Sequence, residues 1–262
     1  MNTFAKYEGA GNDFILIDDR LQVFSRNQVS PLCHRRFGVG ADGVILLQSS
    51  ERADFRMRIF NSNGTEAESC GNGLRCLGKF ISDLGFPEKK YSIETMDRVV
   101  HLFYVDDLVA VEMGESKDLK LHLETERGVV HFVDTGVPHA VYFVENVAKA
   151  DMQALGLFFR HHPLFGLKGA NANIASIQSD GSIHVRTFER GVEGETLACG
   201  TGGCAVAVIA AKLHGLAGPI PIVFPGGQLQ ISFDGAQMVM AGPARKVFRG
   251  EIASLADLVV KK

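Results

Sequence analysis

The chain lacks any long block of like charge. Its 262 residues carry 27 Lys and Arg against 30 Asp and Glu, a net charge of −3. Such a balance points to neither a nucleic-acid groove nor a membrane-binding surface. Long apolar runs are missing too. The longest, such as Ala205 to Ala211, fall well short of the roughly 20 residues that cross a bilayer. The opening residues, MNTFAKYEGAGNDF, hold no basic start followed by an apolar core, so no secretory signal is expected. Cysteine is scarce and odd in number, five in all. That argues against a disulfide framework and for reduced thiols in a cytoplasmic protein. Cys33 and Cys76 are expected to be buried small hydrophobes. No Cys-x-x-Cys pair is present, which excludes a thioredoxin-like redox motif. No Gly-Lys-Ser/Thr follows the Gly-rich stretches, which excludes a phosphate-binding P-loop. Five residues separate Cys70 from Cys76 and four separate Cys199 from Cys204. A structural zinc site wants closer pairs, so no metal is expected.

What is present is a globular composition, 46% apolar and 22% charged, long enough for one large domain or two ordinary ones. The stretch ESCGNGLRC at 68–76 returns in altered form as LACGTGGC at 197–204. Both contain Cys-Gly-x-Gly, and each is followed by an apolar, helix-like run. The repeat is wider than the cysteines. Arg58-Ile59-Phe60-Asn61 precedes Cys70 by nine residues, and Arg186-Thr187-Phe188-Glu189 precedes Cys199 by ten. Strand, Gly-rich loop, cysteine and helix therefore recur in one order, which implies two homologous domains. The remainder is rich in short β-branched and aromatic runs, among them FILID, GVILL, YSIET, VVHLFYV, LVAVEM, LKLHLE, VVHFVD, AVYFV, IPIVF and LQISF. Helical signals are fewer: Ser30 to Arg36, Gly73 to Leu84, parts of 146–157, and Thr201 to His214. The pattern is α+β, with mostly antiparallel strands and one prominent helix per half. The boundary is expected in GESKDL, near Gly114 to Asp118. With no low-complexity linker between them, the halves are expected to pack closely and leave a cleft.

A cysteine at a helix start sits in the positive field of unpaired N–H groups, which lowers a thiol's pKa. Glycines there allow a carboxylate to approach the backbone. Two such sites facing one substrate would let one thiolate remove a proton from carbon while the other thiol returns one to the opposite face, inverting configuration.

These motifs resemble diaminopimelate epimerase, a cofactor-independent two-cysteine epimerase family. The resemblance runs through GAGNDFILID (9–18), RRFGVGADGVILL (35–47), RIFNSNGTEAESCGNGLRC (58–76), DTGVPHAVYFV (134–144), NANI (171–174) and FERGVEGETLACGTGGCA (188–205). It implies two pseudo-symmetric domains, each a mostly antiparallel rolled sheet around a central helix. These domains would be 1–115, carrying Cys70, and 116–247, carrying Cys199, with 248–262 returning to the first. It implies conversion of LL-diaminopimelate to the meso form for lysine and peptidoglycan precursor synthesis. Neither pyridoxal phosphate nor metal would be needed, and the protein would be a homodimer. Carried over by motif, Cys70 and Cys199 are the acid and base. Backbone N–H groups of Gly71, Asn72, Gly200 and Thr201 hold the α-carboxylate. Asn12 fixes the reacting centre, Asn61, Asn171 and Arg190 grip the far end, and Glu189 contacts the amino group. His139 and Glu189 tune the thiols.

Plainer roles exist for each of these residues. Asn12 suits a turn, His139 a structural role, Glu189 and Arg190 a solvated ion pair, and Asn61 and Asn171 turn caps. The chain departs from the family pattern where many members have Asn before Pro-His and this chain has Val137. It departs again at Gly43, where some have Gln, and in a loop at 191–195 that is one residue longer than the commonest form. Loss of a carboxylate partner lowers discrimination, so relaxed selectivity is an expectation. The alternatives are a related racemase for an acidic amino acid, a non-catalytic amino-acid binding protein, and a thiol redox sensor working through a Cys70–Cys199 disulfide.

Overall fold

A computed structural model describes residues 3–252. They fall into two compact units, residues 3–111 with 243–252, and Glu112–Gly242. The divisions lie within a strand at Val111–Glu112 and at Gly242–Pro243. The sequence led us to expect 115/116 and 247/248. The part of the returning segment at 253–262 lies outside the described residues.

The first unit opens with the hairpin β1 (Thr3–Gly9) and β2 (Asn12–Asp18). Ala10 and Gly11 turn it, both with positive φ (54° and 81°). That is the geometry of the two-residue turn whose twist matches a hairpin. The strands β3 (Gly43–Gln48), β4 (Phe55–Asn61), β5 (Glu66–Ala67), β6 (Lys90–Glu94), β7 (Val99–Val105) and β8 (Leu108–Glu115) follow. Helix α1 (Val29–Cys33) precedes β3, and α2 (Gly71–Asp83) lies between β5 and β6. The second unit holds β9 (Lys117–Thr125), β10 (Gly128–Asp134), β11 (Pro138–Phe143), α3 (Met152–Arg160) and β12 (Asn171–Ile177). It continues with β13 (Ile183–Glu189), β14 (Gly194–Thr196), α4 (Gly200–His214), β15 (Ile220–Phe224), β16 (Gly227–Asp234) and β17 (Gln237–Gly242). The chain then returns to the first unit as β18 (Arg245–Glu251), antiparallel to β1.

The two units repeat one topology. In the first the strands lie in the order β18, β1, β2, β3, β4, β6, β7, β8. In the second the order is β9, β10, β11, β12, β13, β15, β16, β17. All neighbours are antiparallel except the third with the fourth and the fifth with the sixth. These parallel pairs are β2–β3 and β4–β6 in one unit, β11–β12 and β13–β15 in the other. The short strands β5 and β14 hang on β4 and β13. Helix α2 touches β18, β1, β2, β3, β4 and β7, so the first sheet curls around it. Helix α4 touches β10, β11, β12, β15, β16 and β17 in the same way. Encirclement explains why α4 reads GTGGCAVAVIAAKLH, small and apolar on nearly every side.

A second layer packs outside each roll. Val29, Leu32 and Cys33 of α1 cover Val44 and Leu46 of β3 with Ile15 and Phe60. Met152 and Phe159 of α3 cover Ala172 and Ile174 of β12 with Phe188. Strands β3 and β12 are thus buried on both faces and run apolar or small without alternation. The expected helix from Ser30 to Arg36 is shorter than its apolar pattern. It ends at Cys33, His34 is extended, and the His34 Nδ1 accepts the N–H groups of Arg36 and Phe37. A side chain that satisfies those donors competes with helix continuation.

Candidate functional site

Each repeat places its cysteine in one local setting, at the N-cap of the encircled helix. Cys70 has φ −152° and ψ 118° and precedes α2 of 13 residues. Cys199 has φ −125° and ψ 109° and precedes α4 of 15 residues. An extended residue whose side chain faces the first turn is the N-cap geometry that Ser or Asp usually supplies. Cys70 fulfils it directly, its Sγ accepting the Gly73 N–H at 3.4 Å. Both sulfurs therefore stand at the positive end of a helix.

Around Cys70 the first unit builds a polar chain. Asn12 is the first residue of β2, just beyond the turn, and is half-buried. Its Nδ2 donates to Asp42 Oδ2 at 2.8 Å. A carboxylate only accepts, so the amide oxygen of Asn12 must turn the other way. It lies 3.8 Å from Cys70 Sγ and accepts Asn72 Nδ2 at 3.4 Å. Asn72 Oδ1 in turn accepts from Arg75 at 3.0 Å, and Arg75 is fully buried with its Nε on the Pro243 carbonyl. Asp42 is held by Arg35 at 2.7 Å, and Arg35 also grips Asp13, the partner of buried Lys6 at 2.6 Å. The neighbouring cations hold Asp13 far below the ordinary carboxylate range against the opposing effect of burial. Asn61 ends β4 at the surface, its Nδ2 on Thr65 Oγ1 at 3.0 Å.

The setting of Cys199 differs. Cys199 is buried and 3.5 Å from the Thr201 hydroxyl. Glu189, ending β13, hydrogen-bonds both Cys199 and Thr196. Burial raises the Glu189 carboxyl above its ordinary value, against the lowering effect of those two bonds. His139, the second residue of β11, is fully buried. Burial, then the positive charge of Arg190, lowers its imidazole to about 3, so it is neutral. Asn171 Oδ1 accepts the Arg190 backbone N–H at 2.7 Å and thereby shapes the start of the 190–193 loop. Thr135 Oγ1 donates to the Thr201 carbonyl at 2.8 Å, which ties the β10–β11 turn to the first turn of α4.

The structure thus groups Asn12, Cys70, Gly71 and Asn72 in one unit. In the other it groups His139, Asn171, Glu189, Arg190, Cys199, Gly200 and Thr201. Asn61 stands apart, bonded to its own turn. Asn12 is a strand residue and not part of the turn proper. Glu189 bonds Thr196 and Cys199, in place of the solvated pairing with Arg190 that was its plainer alternative. Sequence reasoning missed Asp42, Arg75, Thr196 and Asn173. Asn173 had a usable signal, since period-two alternation in NANI puts it on the same strand face as Asn171. The other thiols are inert structure. Cys33, Cys76 and Cys204 are buried, and burial pushes Cys33 up to about 12 and raises Cys76 as well.

A family model, diaminopimelate epimerase, matches residues 4–119 and 131–247. The chain belongs to the diaminopimelate epimerase family. It is therefore an enzyme of an epimerase family. A Synechococcus diaminopimelate epimerase is 42% identical over 281 residues, covering 96% of this chain and 98% of that one. The diaminopimelate epimerase of Methanothrix thermoacetophila is 41% identical over 272 residues, covering 95% of each. Among solved structures, a Bacillus anthracis phenazine biosynthesis protein of the PhzF family has a TM-score of 0.78 at 16% identity, covering 97% of this chain and 99% of that one. A hydroxyproline epimerase from Agrobacterium vitis, with bound trans-4-hydroxy-L-proline, has a TM-score of 0.66 at 17% identity, covering 96% and 90%. At such identities these two share the fold alone. Membership in the diaminopimelate epimerase family removes the non-catalytic binding-protein reading.

Proposed function

We propose that the enzyme inverts the α-carbon of LL-diaminopimelate to give meso-diaminopimelate by two-base proton transfer between Cys70 and Cys199. The observation that carries this reading is the twin placement of the two cysteines, each an N-cap of the helix at the heart of its repeat. The reaction requires both thiols to face one bound substrate. One, as thiolate, takes the α-proton, and the other, as thiol, delivers a proton to the opposite face. The roles exchange with direction.

Removing an α-proton loads negative charge onto the carboxylate. Backbone N–H groups of Gly71, Asn72, Gly200 and Thr201, at the two helix starts, would meet that charge as it develops. Asn12 would steady the reacting centre and Cys70 together. Glu189 would contact the amino group and share a hydrogen bond with Cys199. Neutral His139 would serve as a hydrogen-bond donor beside it. Arg190 suits the distal carboxylate because its fork binds both oxygens, with Asn171 and Asn61 beside it. The product would feed lysine and peptidoglycan precursor synthesis in the cytoplasm, and the working form would be a homodimer.

Val137 lies in the turn before β11, where an amide would offer hydrogen bonds and an isopropyl group offers none. This favours a second reading, relaxed selectivity extending to a shorter acidic amino acid. Chiral chromatography of LL-diaminopimelate and of L-glutamate, each incubated with reduced enzyme, tests both. Formation of the meso isomer supports the main reading. Racemised glutamate with untouched diaminopimelate would replace it with the racemase. Diaminopimelate selectivity equal in wild type and Val137→Asn would remove the case for relaxation.

A further inference from the structure

The repeated topology allows the two halves to be compared residue by residue, and one pair of positions differs in kind. In the first unit Ile45 of β3 faces Ile59 of β4. A Cβ added to Gly73 would lie 3.0 Å from Ile45 and 3.1 Å from Ile59. In the second unit the same register places Asn173 of β12 opposite Thr187 of β13. A Cβ added to Gly202 would lie 2.4 Å from Asn173 Oδ1 and 3.3 Å from Cys199 Sγ. One half thus fills the space under its Cys-Gly-x-Gly turn with two isoleucines, and the other fills it with a fully buried amide and hydroxyl. The fold itself accepts the apolar solution, so packing alone does not call for the polar one.

The hydrogen bonds say what the polar pair does. Asn173 Nδ2 donates to the Ala140 carbonyl at 3.0 Å, and a carbonyl only accepts. That fixes the amide, and Oδ1 accepts the Thr187 hydroxyl at 2.9 Å. The other Nδ2 hydrogen meets His139 Nδ1 at 3.1 Å, with the Asn171 carbonyl farther off at 3.5 Å. Nδ1 must then be the acceptor, and the single proton of neutral His139 sits on Nε2. Nε2 is also the one buried side-chain polar atom without a hydrogen-bond partner among the described residues. A buried donor without a protein partner calls for an explanation, and an acceptor that arrives with the substrate supplies one. Arg190 is the charged group that acts on His139.

We propose that Asn173 is a positioning residue that holds His139 as the Nε2–H tautomer and so reserves that N–H for negative charge that develops during the reaction. His139 in this state cannot take up a proton at Nε2, which already carries one. It donates to the thiolate, or to the carboxylate being loaded during α-proton removal. The catalytic half of this proposal rests on the epimerase reading above. The tautomer half does not.

The first test is two-bond proton–nitrogen NMR on uniformly 15N-labelled enzyme, with His139→Gln to assign the ring signals. The proposal predicts a protonated Nε2 and an unprotonated Nδ1 in wild type, without substrate. A protonated Nδ1 would overturn it. In Asn173→Asp the carboxylate accepts from the ring, and the proton should move to Nδ1. The second test swaps in the other half's solution, Asn173→Ile with Thr187→Ile. This pair should fold, lose the fixed tautomer, and show kcat lowered by about 10–100-fold with KM changed far less. Wild-type kcat in the folded double variant would overturn the catalytic half. If the double variant fails to fold, Asn173→Asp decides, since a wild-type kcat with a reversed tautomer also contradicts the proposal. Wild-type enzyme that epimerises no diaminopimelate would defeat the epimerase reading and leave the tautomer assignment to the NMR.

Discussion

His139 shows how burial and one hydrogen bond settle a residue's chemistry. Unfolded, its imidazole takes up a proton near 6.5, and folded it holds out to about 3. The unfolded state therefore binds more protons between those limits. The stability that neutral His139 supplies is complete above 6.5 and is lost as pH falls toward 3, at about 1.4 kcal/mol per pH unit. Urea unfolding from pH 7 to 4.5 should show this slope, and His139→Asn should be shallower by about one proton's worth. Equal slopes would mean that His139 already titrates in the folded protein. Gly43 is constrained by contact instead. A Cβ there would lie 2.4 Å from the Phe60 carbonyl across the β3–β4 pair. Gly43→Ala should therefore destabilise the protein by about 1–3 kcal/mol in chemical denaturation. A variant as stable as wild type would show that β3 shifts freely. Both cysteines were legible from sequence because Cys-Gly-x-Gly occurs twice. The role of Asn173 was not, because alternation in NANI gives the strand face it shares with Asn171 but not the partners it meets there.

At the level of elements, the sequence revealed those with strong period or cap signals. The helices begun by Cys70 and Cys199 start two residues earlier than Gly73 and one earlier than Thr201, the positions their apolar runs suggest. The cap geometry, not hydrophobicity, sets the start. Helix α3 is held the same way, Asp151 accepting the Ala154 N–H at 3.0 Å. Asp151→Ala should lower stability by about 1 kcal/mol, read as a smaller urea midpoint at unchanged m-value. No loss would show that packing of Met152 and Phe159 alone fixes the helix. The strands β1 and β18 went unrecognised because charged residues interrupt them. Lys6 and Glu8 sit in TFAKYEG, and RKVFRGE of β18 is exposed almost throughout. Lys6 is nonetheless buried because Asp13 and the Gly40 carbonyl receive it. Tertiary partners of that kind lie outside any local window of sequence. The short strands β5 and β14 escape for another reason, since two or three residues carry no period.

At the scale of the molecule, one topology is used twice and given two different polar linings. The repeat was readable from the order strand, loop, cysteine, helix. The strand order was not, because the outermost strand of the first unit comes from the end of the chain. The unlike surroundings of the two cysteines suit a reaction whose steps are not mirror images. Cys70 has an amide oxygen beside it, and Cys199 has a carboxylate. The central claim is that two thiols, not one, handle the proton. It is tested most directly by proton NMR of LL-diaminopimelate with reduced enzyme in heavy water and no added cofactor, with Cys70→Ser and Cys199→Ser run alongside. The account predicts that early meso product carries deuterium at the inverted carbon while unreacted substrate keeps its proton. Either serine variant should slow the conversion by about 10²-fold or more. Deuterium entering the substrate pool as fast as the product, or full conversion by either variant, would contradict it.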